Sequence, residues 1–177
     1  MRPPSRTLAV MTPLIRRARP DDLPELGRLA TLLVEEHHAF DARRFIAPTA
    51  RTPQSYATFL GPHLDSDDAF VLVAEIDGRV AGYAFVALEG FDYKSLRGPA
   101  GVLHDLLVSP QHRGQRIGPL LLEAALAELR ARNASRVVLS TAEKNHSAQR
   151  LFERFGFRRT MVEMTCELHR DDVALPK

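Results

Sequence analysis

The sequence predicts an α/β (α+β) fold in which helices flank a central mixed sheet. Apolar runs of strand length alternate with stretches whose apolar residues recur at helical spacing. The elements fall in the order β-α-α-β-β-β-α-β-α-β, and strands interleaved with helices in one unit pack as layers on one sheet. The length, 177 residues, is that of one domain able to bury a core without disulfides.

Residues 1–12 read as a flexible tail, 13–169 as the domain and 170–177 as a second tail. Leu14 to Ala18 is the first strand. Asp21 or Asp22 caps the first helix, and Pro24 suits its first turn. Leu23, Leu26, Leu29, Ala30 and Leu33 make its apolar face. His37 to Phe40 then enter an irregular stretch ending near Pro48. A second helix spans Pro53 to Leu64. Ala69 to Ile76 and Arg79 to Leu88 form a hairpin, because Asp77-Gly78 is the pair a type I′ turn favours. A loop runs from Glu89 to Ala100. Past the central stretch described next, Arg136 to Ser140 is a strand. Asn145 to Phe155 is a helix closed by Gly156, and Phe157 to Leu168 is a last strand holding the lone cysteine, Cys166.

The central stretch is Val102 to Leu122. Its apolar start fits a strand covered on both faces, which Pro110 ends. Gly114 and Gly118 let the backbone bend and approach a ligand closely. Leu120, Leu121, Leu122, Ala125, Leu126 and Leu129 then repeat at helical spacing. A loop entering a helix start exposes free N–H groups at the positive end of the helix dipole, which together cradle phosphate.

Two motifs go further. The first is Arg113-Gly114-Gln115-Arg116-Ile117-Gly118; the second runs from Asn145 through Ala148, Leu151 and Phe152 to Phe155-Gly156-Phe157. Together, each in its strand or helix setting, they resemble the GCN5-related N-acetyltransferase (GNAT) superfamily, over Leu14 to Leu168. Arg116 stands where the family's middle glycine would be, and Phe152 where many members carry a tyrosine that protonates the leaving thiolate.

The resemblance implies a mostly antiparallel sheet and acetyl-coenzyme A as cosubstrate. Its pyrophosphate would rest on the loop amides from Gly114 through Gln115, Arg116, Ile117 and Gly118 to Pro119, with Arg113 also in the cofactor site. Pro119 lacks an N–H but suits the helix start. Its pantetheine arm would pair with a bulged strand edge near Leu106, Leu107 and Val108, where a freed N–H polarises the acetyl carbonyl. Asn145 would bond the pantetheine region or cap its helix. His104 matches the position of a Glu or His base in relatives that include the arylalkylamine acetyltransferases; a core histidine is the alternative. Asp105 alternates to the other face unless the bulge intervenes, and serves structure or substrate charge. Tyr83 and Tyr93 are candidate acids in place of Phe152. The acceptor pocket would be lined by His37, Phe40, Asp41 and Tyr93, with Glu35, Glu36, Glu89 and Asp92 available to a cationic amine.

The expected function is therefore acetyl-coenzyme A-dependent transfer to a primary amine, a small or polyamine-like one, directly in a ternary complex. The alternatives are a coenzyme A-binding sensor and acetylation of protein N-termini or aminoacyl-tRNA. Composition narrows the partners. A net charge of +2 gives no case for nucleic acid, and no apolar run spans a bilayer. The basic N-terminus lacks the apolar core of a signal peptide, and one cysteine fits a reducing cytoplasm. The His37-His38 pair lacks the companions of a metal site, so no metal is expected. The loop lacks the Lys-Ser/Thr pair of a P-loop nucleotidase. A homodimer is expected from the resemblance.

Overall fold

The computed structural model describes residues 12–64 and 66–168. Five strands form one sheet in the order β1 (Leu14–Arg17), β2 (Ala69–Ile76), β3 (Arg79–Glu89), β4 (Ala100–Val108) and β5 (Val137–Leu139). All neighbours are antiparallel except β4 and β5, which run parallel. The helices are α1 (Leu23–Phe40), α2 (Thr52–Leu60), α3 (Ile117–Ala131) and α4 (His146–Arg154). The tails at 1–11 and 169–177 lie outside the described residues.

The two faces of the sheet bury two cores. Val71, Val73, Tyr83, Phe85 and Leu107 pack under α1 and α2. Phe70, Leu72, Ala84, Val86 and Leu103 pack under α3, with Phe152 of α4. This is the alternation of a sheet covered on both sides. The β2–β3 turn is built as its residues require, with Asp77 at φ 51° and Gly78 at φ 73°. Helices α1 and α2 cross closely at Gly27, where a Cβ would lie 2.1 Å from the Pro53 carbonyl oxygen.

Two local expectations are corrected. His37 to Phe40 are the last turn of α1, not an irregular stretch; the His37 ring bonds the Leu33 carbonyl and Asp41 N–H bonds the His37 carbonyl. The second contact satisfies an end-of-helix carbonyl. The predicted strand from Phe157 to Leu168 is absent: these residues form no ladder, and Val162, Met164, Cys166 and Leu168 are exposed. Alternation prepares a strand, but a strand exists only when an edge pairs with it. Cys166 is thus not in a core.

Candidate active site

The site begins with a bulge in β4. Phe85 pairs with Asp105 while Val86 pairs with Leu103, leaving His104 as the extra residue. The bulge thus sits upstream of the Leu106–Val108 position expected from sequence. It reverses the parity of β4. Before it, Gly101 N–H points toward β5, donating to the Arg136 carbonyl at 2.9 Å. After it, Ser109 N–H points toward β3, donating to the Ala81 carbonyl at 2.8 Å. By alternation Asp105 and Leu107 turn their main-chain groups to β3, whereas Leu106 and Val108 turn theirs outward. The β4–β5 pairing ends at Leu103 and Leu139, so that outward edge is open. Arg113 Nε reaches it, donating to the Val108 carbonyl at 3.3 Å.

The bulge also puts His104 and Asp105 on the same face. His104 stacks on Phe85 with ring centroids 4.9 Å apart, and its Nε2 lies 2.9 Å from Glu89 Oε1. Glu89 is itself held by Arg97 Nη2 at 2.6 Å. With Nε2 donating to a carboxylate, Nδ1 keeps its lone pair. Asp105 is 8% exposed. Its Oδ2 accepts the hydroxyls of Tyr56 at 2.8 Å and Tyr83 at 3.0 Å. Its Oδ1 has no hydrogen-bond partner among the described residues. Burial pushes the Asp105 carboxyl up, against the pull of the two hydroxyls.

Both side chains line a cavity of about 320 Å³ between the open edge and the end of α1. Leu33, His37, Phe45 and Tyr56 wall one side; Ser140, Asn145 and Phe152 wall the other. His37 Nδ1 is 2.8 Å from the Leu33 carbonyl and so carries the proton, leaving Nε2 as an acceptor. Asn145 caps α4, its Oδ1 accepting the Ala148 N–H at 3.1 Å.

The edge leads into the loop before α3. Gly114 has φ 79° and Arg116 φ 62°. None of the N–H groups of Gly114, Gln115, Arg116, Ile117 and Gly118 has an acceptor among the described residues. They gather at the N-terminus of the 15-residue α3, an anion cradle by geometry and dipole. Gly118 is helical; a Cβ there would make only ordinary contacts, 3.5 Å from Leu151 and 3.7 Å from Val108. The left-handed residue is instead Arg116, at the family's middle-glycine position.

Other candidates lie elsewhere. Phe40 and Asp41 are not on the cavity wall. Asp41 accepts the N–H groups of Arg43 and Arg44, which hold its carboxyl below the usual range. Tyr93 is 85% exposed and stacks on Phe91 in the β3–β4 loop. Tyr83 is fully buried and committed to Asp105. The sequence has three tyrosines, and the third, Tyr56, also bonds Asp105. Burial raises its hydroxyl above the normal tyrosine range, which weakens it as an acid. Sequence reasoning missed Tyr56 and the link from Glu89 to His104, since each joins residues on different elements far apart in the chain. Among the described residues no cluster of His, Cys, Asp and Glu could hold a metal ion, and no helix is long and apolar enough to cross a membrane.

Comparison with known proteins finds similarity at the level of family, sequence and structure. The model of the acetyltransferase (GNAT) family matches residues 29–157. An uncharacterized N-acetyltransferase of Archaeoglobus fulgidus is 32% identical over 145 residues, 82% of this chain and 92% of the relative. Among solved structures, a mutant of the BH1408 protein from Bacillus halodurans superposes with a TM-score of 0.76 at 22% identity, covering 88% of this chain and 99% of that one. The aminoglycoside N-acetyltransferase AAC(6')-Iy, solved in complex with CoA, superposes with a TM-score of 0.70 at 17% identity, covering 89% and 95%.

Proposed function

Because the chain belongs to the acetyltransferase (GNAT) family, we propose that it moves the acetyl group of acetyl-coenzyme A to a small primary amine by direct attack in a ternary complex. The observation that carries this reading is the open β4 edge running into five free N–H groups. That edge offers Leu106 and Val108 to the peptide-like pantetheine arm, and the cradle takes the pyrophosphate. Leu107 contributes by position only, since its main-chain groups turn to β3.

Asp105 Oδ1 receives the acceptor's ammonium. His104 Nδ1 takes a proton from it, and Glu89 holds the imidazole in the needed tautomer. The neutral nitrogen attacks the thioester carbon: a C–N bond forms and the C–S bond breaks. The thiolate regains a proton from His104, which fills the role that Phe152 cannot, and the freed imidazole takes the second proton from the acylated nitrogen and passes it to solvent. The products are the N-acetyl amine and coenzyme A.

The test is thiol release from acetyl-coenzyme A with a panel of amines, for wild type and His104→Ala. The reading expects release with an amine and loss of the lower limb of the pH–rate profile in the variant. An unchanged profile overturns the role of His104. Binding of acetyl-coenzyme A with no release on any amine overturns the enzyme in favour of a sensor.

A further inference from the structure

We infer that the acceptor is a monoamine carrying one positive charge on an apolar or aromatic body, in preference to a polyamine, an aminoglycoside or a peptide N-terminus. The inference rests on the N-acetyltransferase reading above and concerns the same cavity. Its basis is a charge inventory. The carboxylates at or next to the cavity are Glu36, Glu89 and Asp105. Glu36 is paired with Arg113. Glu89 is paired with Arg97 and His104. Only Asp105 has no cationic partner among the described residues, its bonds coming from two tyrosine hydroxyls. Asp41 lies off the wall, engaged with its own loop's N–H groups.

One open carboxylate matches one ammonium. The acceptor side is otherwise mainly apolar, from Leu33 and Val34 to Phe45 and Ile46, with His37 and the Arg113-paired Glu36 as its polar members. A second ammonium there would lose water and gain no counter-charge. The many polar groups of a peptide or sugar would outnumber the few partners that wall holds, such as His37. An alkyl or aryl body buries apolar surface instead, and Ile46, 76% exposed, offers it a rim. Size agrees: about 320 Å³ is at the low end for small-molecule sites and is shared with the donor's arm.

The test uses the full chain with acetyl-coenzyme A and six acceptors: phenethylamine, hexylamine, putrescine, spermidine, kanamycin and a peptide with N-terminal alanine. kcat/KM should favour the two monoamines by on the order of 100-fold. Ile46→Glu places a second carboxylate on an exposed rim position, and should raise putrescine relative to hexylamine by about 10-fold. In parallel, the melting temperature of the protein saturated with coenzyme A is followed as each amine is added. Transfer that prefers putrescine, spermidine, kanamycin or the peptide overturns the inference and leaves the N-acetyltransferase reading standing. A rise in melting temperature with the monoamines but no transfer supports the pocket assignment and overturns the enzyme. Neither transfer nor a rise with the monoamines overturns the inference.

Discussion

Gly27→Ala tests the link between helix packing and the site. A Cβ at Gly27 would lie 2.1 Å from the Pro53 carbonyl oxygen, 2.9 Å from its carbon and 3.3 Å from Ala57 Cβ. The two nearest atoms are backbone, so no rotamer relieves the contact, and α1 and α2 must part by about 1 Å. Tyr56 rides on α2 and donates to Asp105 Oδ2 at 2.8 Å. An opening of that size carries the hydroxyl past hydrogen-bonding distance. Overpacking costs about 1–3 kcal/mol, and losing a bond to a buried carboxylate about 1.5–3 kcal/mol. The better helix propensity of alanine offsets about 1 kcal/mol. The net is a loss of about 2–4 kcal/mol, or about 5–15 °C in Tm for a chain of this size. Guanidinium unfolding and calorimetry measure it. Gly61→Ala is the control: its Cβ meets only Leu23 Cδ1 at 3.8 Å, and it should be neutral or stabilising by up to about 1 kcal/mol. A Gly27→Ala protein that melts with wild type or with the control refutes the reasoning.

Arg116→Gly removes a left-handed residue at φ 62° and ψ 13° before α3, so stability should rise by up to about 1 kcal/mol while the KM for acetyl-coenzyme A increases with the lost charge; a lower Tm would count against backbone strain there. Asp22→Asn concerns pH. The Arg16 guanidinium, bonded at 2.7 Å, holds the Asp22 carboxyl below its usual range, helped by the Arg19 N–H and opposed by burial. A depressed native carboxyl stabilises fully above the unfolded-state value near pH 4, and that contribution fades as pH falls through the native value. The variant should lose about 2 kcal/mol at pH 7 and progressively less below about pH 4, read from urea unfolding at several pH values; a loss independent of pH would refute the pairing.

The loop before α3 and the helices around it were legible because their signals are local. The Arg113–Gly118 loop, the α3 stripe and the Asn145 cap each depend on residues a few positions apart. The Asp77-Gly78 turn is equally local, and fixes the hairpin register around it. The acceptor side was read less well. His37 proved helical, Phe40, Asp41 and Tyr93 lie off the cavity wall, and the strand expected over Phe157 to Leu168 found no edge to pair with.

The sequence by itself determined the element order as far as α4 and the local form of the loop entering α3, since backbone propensity and helix-end chemistry need no distant partner. Only the tertiary structure decided where β4 bulges. Pairing with β3 makes His104 the extra residue, and that shift turns His104 and Asp105 to one face. It also brought Tyr56 and Tyr83, 49 and 22 positions away, onto a single oxygen of Asp105. Strand register and helix packing join residues through space, and neither is written in any short stretch of the chain.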